Sequence, residues 1–263
     1  MFNIVNIIMN KVKKRKISVS IIMPYGINRP YFGFALRSAI LQDFSKRKYE
    51  IIVVNDGVKS FNKEAMYNIL KGYDKKKLPP VTYHDVSFSS LSSSVNYGIE
   101  KSIGKYYTVL PDDDIFLSNK LPLLFNELEK GEFSAVYSLP KRIDAKGDRL
   151  SDPRRVIDWA HAHPVVTWSH IEKGHGLMIN GISTMYKKSA SDLVGGWDEK
   201  LLRAEEWEFH LRLLKNGYNF KLVDDYTIEY RVHGNNKSKR RGAAERKAQM
   251  KYIYSKLKIN KGE

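Results

Sequence analysis

The sequence predicts an α/β fold in which helices cover a mostly parallel, doubly wound central sheet. Short apolar runs rich in β-branched residues alternate with segments whose apolar residues recur at helical spacing, and short connections join them. Two of these runs end in turns that carry carboxylates, as expected at the ligand-binding edge of such a sheet. With 263 residues, 42% of them hydrophobic, the chain can form one large domain or two small ones.

The first half of the chain supplies the strand–helix units. Because each run is short and apolar, we predict buried strands at residues 18–23, 49–54, 81–85, 106–110 and 135–139. Apolar residues recur every three or four positions in the segments between them, which predicts helices at residues 31–44, 62–73, 91–103 and 119–129. The alternation implies parallel strands joined by helical crossovers.

The character of the sequence changes after residue 140. A polar hairpin or loop is predicted at 141–151, strands at 181–186, 220–223 and 227–232, and helices at 190–196 and 205–216. The basic tail carries Met250, Ile253, Tyr254 and Leu257 at the spacing of an amphipathic helix. We divide the chain into a tail (1–16), a domain (17–238, with halves 17–140 and 141–238) and a basic C-terminal helix (239–263).

The chain contains no cysteine, which excludes disulfides, thiolate metal sites and thiolate nucleophiles and fits a reducing compartment. Its formal net charge of +16 predicts attraction to nucleic acid, an anionic membrane surface or phosphate-bearing substrates. No stretch approaches the length of a transmembrane helix. The apolar residues 1–9 precede the basic residues 11–16, the reverse of a secretory signal. We expect a frayed tail or a weak interfacial anchor there, and a cytoplasmic protein, if not one peripheral to the inner face of a membrane.

Three consecutive carboxylates, Asp112, Asp113 and Asp114, follow the strand predicted at 106–110. Adjacent acids repel one another, so they are costly to hold together without a cation nearby. Hard oxygen ligands at the carboxyl end of a strand suit Mg²⁺ or Mn²⁺, which binds through one or two carboxylates plus substrate phosphates. The alternative is a solvated acidic turn in which Asp114 caps the next helix.

Two other predicted strands end in polar side chains. Asp56 follows the strand at 49–54, where an acid can accept hydrogen bonds from a base or a ribose; the alternative is a common Asp-Gly turn. His233 follows the strand at 227–232 and could ligate a cation or contact a phosphate. A lone histidine, however, is more often only hydrogen-bonded.

The helix predicted at 205–216 begins with two carboxylates, Glu205 and Glu206, in the turn where the helix dipole favours acids. Glu208 precedes Arg212 by four positions, which predicts an ion pair along the helix. The functional interpretation makes one of the first two glutamates a general base that points into the cleft. Helix position alone does not choose between the structural and the catalytic interpretation.

Histidine and tryptophan concentrate in residues 156–175. A zinc site there is disfavoured, because no cysteine or paired acid joins the histidines at ligand spacing. We expect the aromatic side chains of this region to stack on sugar or base faces instead.

Six segments, in order between residues 18 and 238, resemble motifs of the inverting GT-A glycosyltransferases of family 2. They are Pro-Tyr-Gly-Ile-Asn-Arg (24–29), Asn-Asp-Gly (55–57), Pro-Asp-Asp-Asp (111–114), Gly-Gly-Trp-Asp-Glu (195–199), the helix segment 205–212 and Tyr-Arg-Val-His-Gly-Asn-Asn (230–236). The resemblance implies a GT-A fold with a small acceptor-side subregion. It also implies transfer of a hexose or pentose, with Mn²⁺ or Mg²⁺, from a nucleotide-diphosphate sugar to an acceptor hydroxyl. UDP is the default nucleotide, and a saccharide or a lipid-linked molecule is the expected acceptor.

The resemblance also implies roles for individual residues. Glu206 matches the catalytic base. Contacts with the nucleotide sugar are implied for Pro24, Tyr25, Arg29, Asp56, Asn96, Asp112 and Glu205. Metal ligation is implied for Asp113, Asp114 and His233, and acceptor contacts for Trp197, Asp198 and His175.

The chain departs from the family pattern at four positions. Asn55 replaces the first acid of Asp-Asp-Gly, which weakens a second base or ribose contact. Pro111 replaces the first acid of Asp-x-Asp, which could shift the register to Asp112 and Asp114. Glu206 stands where aspartate is usual, and Val95 where arginine is usual.

Two alternatives start from the net charge. The first is the same chemistry on a hydroxymethylated base in DNA, since phosphate neutralisation drives non-specific DNA binding. The second is a nucleic-acid-binding protein that kept the fold without activity. Steep salt dependence of DNA binding would favour a DNA partner, and turnover of a nucleotide sugar would favour an enzyme.

Overall fold

The computed structural model of the protein describes residues 17–27, 30–46, 48–60, 62–234, 236 and 243–259. The tail predicted at 1–16 lies outside these residues, as does Arg29. The strands of the described ranges are β1 (Val19–Tyr25), β2 (Tyr49–Asp56), β3 (Val81–Val86), β4 (Tyr106–Val109), β5 (Ile115–Phe116), β6 (Ala135–Ile143), β7 (Val165–Val166), β8 (Thr184–Lys187) and β9 (Phe220–Arg231).

Helices surround these strands. They are α1 (Phe32–Ile40), α2 (Lys63–Leu70), α3 (Leu91–Lys101), α4 (Lys120–Glu129), α5 (Arg154–Ala162), α6 (Trp168–Glu172), α7 (Lys188–Val194), α8 (Glu205–Lys215) and α9 (Ala243–Leu257). Each helix predicted in the first half is present, with ends shifted by a few residues. In the described part of the chain, none has both the length and the apolar character needed to cross a lipid bilayer.

The strands form one sheet in the order β3-β2-β1-β4-β8-β6-β9-β5, with β7 paired to β9. The longer ladders, β1 with β2 and β4, β2 with β3, and β6 with β9, are parallel, as predicted. The exception at the centre is β8, which runs antiparallel to both β4 and β6. Strand β6 crosses the division predicted between residues 140 and 141, so both halves contribute to one sheet.

The observed strands differ from the predicted ones in several details. The two strands predicted at 220–223 and 227–232 form the single strand β9, whose parallel ladder with β6 continues through register shifts near Leu139. Strand β5 was not predicted, because two residues carry no periodic pattern. Residues 181–183, predicted as strand, form a 3₁₀ turn before β8.

Apolar side chains pack on both faces of the sheet. Along β1, Ile21 and Met23 pack in the cluster that includes residues of α1 and α2, and Ile22 packs in the cluster that includes residues of α3 and α8. Gly98 lets α3 approach the sheet closely, since a Cβ there would lie 2.4 Å from the Ile22 side chain. The alternation follows from the two-residue period of a strand.

The C-terminal helix docks on the body through α9, the described part of the predicted basic helix. Its apolar positions Ile253 and Leu257 are buried, and the Tyr254 ring meets the Trp207 ring edge to face at 6.0 Å. Lys256 donates from Nζ to Asp198 Oδ2 at 2.6 Å and lies 2.9 Å from Glu208 Oε1. The amphipathic pattern of the tail therefore serves packing on α8.

A fully buried lysine lies at the start of α4. The Lys120 side chain is 0% exposed, and its Nζ has no hydrogen-bond partner among the described residues. Its ammonium group lies 4.7 Å from the centroid of the Phe116 ring. Burial lowers the pKa of Lys120 well below its usual value, because desolvation disfavours the charged form.

We expect Lys120→Met to raise the free energy of unfolding at pH 7 by about 1–3 kcal/mol, because it removes a buried unsatisfied donor while keeping the side-chain volume. The unfolded chain binds a proton at Lys120 up to a pH of about 10.4, whereas the folded chain releases it earlier. Wild-type stability therefore gains from rising pH in that window, and the variant loses this gain. Urea unfolding between pH 7 and 10 measures both effects. Exposed Lys76→Met is the control, and equal changes in the two variants would contradict the assignment.

Candidate active site

The acid triplet lies where β4 leaves the sheet. Asp112, Asp113 and Asp114 are 4%, 7% and 3% exposed, so they are not a solvated turn. Asp114 does not cap the next helix either, because α4 begins after Asn119. The chain instead enters β5, which pairs with β9 and brings the end of β9 against the triplet.

The end of β9 and the turn that follows it are hydrogen-bonded to the triplet. Arg231 donates from its backbone N–H to Asp114 Oδ1 at 2.7 Å and from Nε to the Asp113 carbonyl at 2.9 Å. His233 Nε2 lies 3.1 Å from Asp113 Oδ2. Asn236 closes the turn, accepting from the His233 N–H at 2.6 Å and donating to the Arg231 carbonyl at 2.9 Å. His233 therefore lies beside the acid triplet, and the metal ligation implied for it stays a prediction.

An aromatic side chain supports this turn. Tyr31, just before α1, has its ring 4.5 Å from the Arg231 guanidinium and 5.3 Å from the His233 ring, both measured to ring centroids. Arg231 is 3% exposed and also donates from Nη1 to the Asp144 carbonyl at 3.1 Å. These contacts fix the orientation of His233 toward Asp113.

The electrostatics of the triplet favour a bound cation. Burial and the neighbouring charge of Asp113 raise the pKa of Asp114 well above its usual value. A divalent cation beside these groups would offset both causes. Within the described residues, no three histidine, aspartate or glutamate side chains are arranged to hold a metal ion by themselves. The Asp113 carboxylate and the His233 imidazole, in contact at 3.1 Å, offer two protein groups to a cation that would complete its shell with phosphate oxygens and water.

Asp56 is at the predicted sheet edge, and its carboxylate binds the loop before α3. Oδ1 accepts from the backbone N–H groups of Phe88 and Ser89 at 2.6 and 2.9 Å. Oδ2 accepts from the Ser90 N–H at 3.1 Å and the Ser94 hydroxyl at 2.9 Å. A carboxylate has about four lone-pair sites, and this loop occupies them. The nucleotide contact expected of Asp56 stays a prediction.

Asn96 holds the Gly-Gly-Trp-Asp-Glu segment. Its Oδ1 accepts from the Trp197 N–H at 2.8 Å, and its Nδ2 donates to the Trp197 carbonyl at 2.9 Å and to Glu199 Oε1 at 2.8 Å. Gly196, at φ +70°, fits closely here, since a Cβ would lie 2.7 Å from Asn96 Oδ1. The donor-binding role of Asn96 stays a prediction beside this structural one.

Trp197 and Asp198, expected to contact the acceptor, pack against helices. The Trp197 indole is 4% exposed and stacks on the Phe209 ring at 5.7 Å. Asp198 accepts from Lys256 and from the Tyr252 hydroxyl, the latter at 2.9 Å. Although burial opposes ionisation, these donors lower the pKa of Asp198. Both positions have a structural explanation, and their acceptor role stays a prediction.

The two glutamates of α8 differ in exposure. Glu205 is 5% exposed and Glu206 is half-buried; both follow Ala204, whose left-handed backbone (φ +55°) begins the helix abruptly. The predicted ion pair along the helix is confirmed, with Arg212 Nη2 2.8 Å from Glu208 Oε2. Glu208 is thus structural. The base role that the resemblance implies for Glu206 stays a prediction.

The carboxylate of Glu206 lies over Gly181, in the turn before β8. This turn contacts β4, β6 and β9, and Thr108 of β4 donates to the Thr184 carbonyl at 2.7 Å. Glu206 therefore lies over a turn that contacts the strands leading to the acid triplet and to His233.

Three histidines of the second half, His163, His170 and His175, form a cluster. The His175 side chain is exposed, and its ring lies 5.0 Å from His163 and 6.1 Å from His170. The Trp159 indole stacks on His163 at 5.1 Å. Burial, followed by the charges of the other two histidines, lowers the pKa of His163. An acceptor contact for His175 stays a prediction.

The two β1 residues that were expected to contact the nucleotide sugar, Pro24 and Tyr25, are buried. Pro24 and Tyr25 end the strand opposite Val54 and Asn55, and the Tyr25 ring packs on Phe32 at 4.9 Å. Asn55 donates to Asp85 Oδ1 at 2.9 Å, so it tethers β2 to β3. The structure thus brings Asp112, Asp113, Asp114 and His233 to one place, with Asp56 at the same sheet edge.

Sequence reasoning missed Arg231, Tyr31 and Gly181. Arg231 could have been found from its place in the motif at 230–236, which also contains His233. The signal for Gly181 was an isolated glycine at a strand start, which indicates close approach of another group. Tyr31 carried no signal of its own.

Comparison with known proteins agrees with this geometry. The family model described as Glycosyl transferase family 2 matches residues 20–193. An uncharacterized glycosyltransferase of Rickettsia felis is 29% identical over 201 residues, which cover 75% of this chain and 31% of the relative. The chain therefore spans about a third of that relative's length. It belongs to glycosyl transferase family 2.

Two solved structures share the fold. Staphylococcus aureus TarS 1-349 in complex with UDP-GlcNAc has a TM-score of 0.69 at 17% identity, covering 94% of this chain and 68% of that one. The mannosyltransferase PcManGT from Pyrobaculum calidifontis, in complex with GDP-Man and Mn²⁺, has a TM-score of 0.70 at 15% identity, covering 97% and 70%. The GT-A architecture expected from the sequence is confirmed.

We expect Asp56→Ala to lower the free energy of unfolding by about 1–3 kcal/mol, because the Phe88–Ser90 loop loses its acceptors and Ser89 is held at φ +57°. Urea denaturation measures the change. The control is Asp148→Ala, at an exposed position in a loop. If the two variants lose the same stability, Asp56 does not organise the loop.

Proposed function

We propose that the chain transfers a sugar from a nucleotide-diphosphate sugar to an acceptor hydroxyl, with inversion at the anomeric carbon and with a divalent cation. The observation that carries the proposal is the buried acid triplet tied to His233, in a chain of glycosyl transferase family 2. One of the two structural neighbours is in complex with UDP-GlcNAc and the other with GDP-Man and Mn²⁺, which supports a nucleotide-sugar donor and a metal.

The cation would be held by Asp113 and His233, with Asp114 beside them. When bound, it offsets the negative charge that builds on the diphosphate leaving group. The protein's own contribution is orientation: Arg231 and Asn236 hold the turn that carries His233, and Tyr31 supports Arg231. The carboxylates of this set suit Mg²⁺ or Mn²⁺.

Glu206 is the proposed general base. Its carboxylate takes the proton of the acceptor hydroxyl as that oxygen bonds to the anomeric carbon. The bond from the anomeric carbon to the diphosphate oxygen breaks in the same step, and the electron pair leaves with the diphosphate. Attack from the face opposite the leaving group inverts the configuration. This displacement needs no covalent nucleophile, in keeping with a chain that lacks cysteine.

We propose UDP as the default nucleotide and a saccharide or lipid-linked molecule as the acceptor. The net charge of +16 suits an acceptor that carries phosphate or lies at an anionic surface. The nucleic-acid alternatives draw no support from the Rickettsia felis relative or from the two structural neighbours.

A thermal-shift panel of nucleotide sugars, each with and without Mn²⁺, tests the donor and the metal together. The donor should raise Tm by mass action, and Mn²⁺ should enlarge the shift in the wild type. We expect Asp113→Asn to abolish the Mn²⁺-dependent part, because a proposed ligand is lost. Exposed Asp225→Asn should retain it. A panel without any hit, or an unchanged Mn²⁺ effect in Asp113→Asn, counts against the proposal.

Glu206→Gln tests the base. We expect kcat to fall by ~10²–10⁴-fold with the donor affinity kept, because the amide cannot accept the acceptor's proton. Initial-rate kinetics with the donor from the panel gives both parameters, and NMR of the product gives its anomeric configuration. Wild-type turnover in Glu206→Gln, or a retained configuration in the wild-type product, would refute this mechanism.

A further inference from the structure

Glu206 and Gly181 are in unusually close contact. A Cβ placed on Gly181 would lie 2.5 Å from Glu206 Oε2 and 3.2 Å from both Cβ and Cδ of the same side chain. Real Cβ atoms do not approach other heavy atoms to 2.5 Å, so any larger residue at 181 conflicts with the present position of the carboxylate. The backbone of Gly181 is not in the left-handed region, so alanine fits its conformation and only space is at issue.

The turn that carries Gly181 cannot easily yield. Asn180 caps it by accepting from the Ile182 N–H at 3.1 Å, and the Asn180 carbonyl accepts from the Ser183 and Thr184 hydroxyls at 2.7 and 2.9 Å. Residues 181–183 are buried. The Thr108 hydroxyl of β4 donates to the carbonyl of Thr184, the residue that follows the turn. A clash at position 181 must therefore be relieved by movement of Glu206.

A buried pair of side chains joins β8 and α8. The Tyr186 hydroxyl of β8 is 2.7 Å from His210 Nε2 of α8, and both side chains are buried. Burial lowers the pKa of His210 to about 3, so its imidazole is neutral at pH 7. The pair thus ties the strand that follows the Gly181 turn to the helix that carries Glu206.

We propose that Gly181 is a positioning residue for the reaction: its missing side chain leaves the space in which the Glu206 carboxylate is held for proton transfer. The inference rests on the proposed function, because it takes Glu206 as the base. Misplacing a reacting group by about 1 Å can cost about 10²-fold in rate. A single methyl group at position 181 should therefore slow catalysis and leave donor binding at the acid triplet unchanged.

The test is a double-mutant cycle between positions 181 and 206. We expect Gly181→Ala to lower kcat by about 10²-fold with the donor KM unchanged. Glu206→Asp shortens the side chain by one methylene and withdraws the carboxylate from the new Cβ. Adding Gly181→Ala to Glu206→Asp should therefore cost a much smaller factor in kcat. Gly176→Ala, where a Cβ would meet nothing within 4 Å, is the control and should retain wild-type kinetics.

A second readout needs no activity. In a Glu206→Ala background the space next to Gly181 is free, so Gly181→Ala should change Tm more favourably there than in the wild type. Equal changes of Tm in these two backgrounds would overturn the inference, as would equal kcat losses from Gly181→Ala in the wild type and in Glu206→Asp. These outcomes differ from a failure of the proposed function, which would appear as full activity in Glu206→Gln.

Discussion

Three carboxylates buried side by side at the end of β4 are the constraint on which the rest of the site depends. Their mutual repulsion and their loss of hydration oppose folding unless neighbouring groups compensate. The chain supplies two hydrogen bonds from Arg231, one to the Asp114 carboxylate and one to the Asp113 carbonyl, and the imidazole of His233. Burial and the charge of Asp113 still raise the pKa of Asp114. The divalent cation proposed above would oppose both effects.

The sheet topology explains how distant segments reach this place. Parallel strands β1, β2 and β4 end at one edge, which sets Asp56 and the triplet on the same side. The short pairing of β5 with β9 then carries Arg231 and His233 to the triplet from more than a hundred residues away. Antiparallel β8, between β4 and β6, presents the glycine turn on which Glu206 rests. The parallel part thus carries the acid triplet, and the antiparallel strand follows the turn that supports Glu206.

Much of this could be predicted from the sequence, because the strands and helices of the first half have strong local patterns and the acids directly follow apolar runs. The contacts that define the site could not. Asp56 binds a loop more than thirty residues away, and the hydrogen-bond partners of Asn96 lie in the segment after α7. Such contacts depend on which strand ends meet. The two-residue strand β5 and the continuity of strand β9 were not predicted for a related reason. Pairing with other strands, rather than sequence periodicity, defines them.

Several motif residues have structural explanations of their own. Asn96, Asp198 and Glu208 each bind a neighbouring element of the fold, so a motif position need not contact a substrate. The proposed binding of the donor depends instead on a cation at Asp113. The most direct measurement is an anomalous-scattering map from crystals grown with Mn²⁺ and a nucleoside diphosphate. The account predicts a manganese peak that contacts both the Asp113 carboxylate and the diphosphate. An ordered diphosphate with no manganese, or with manganese bound elsewhere, would contradict it.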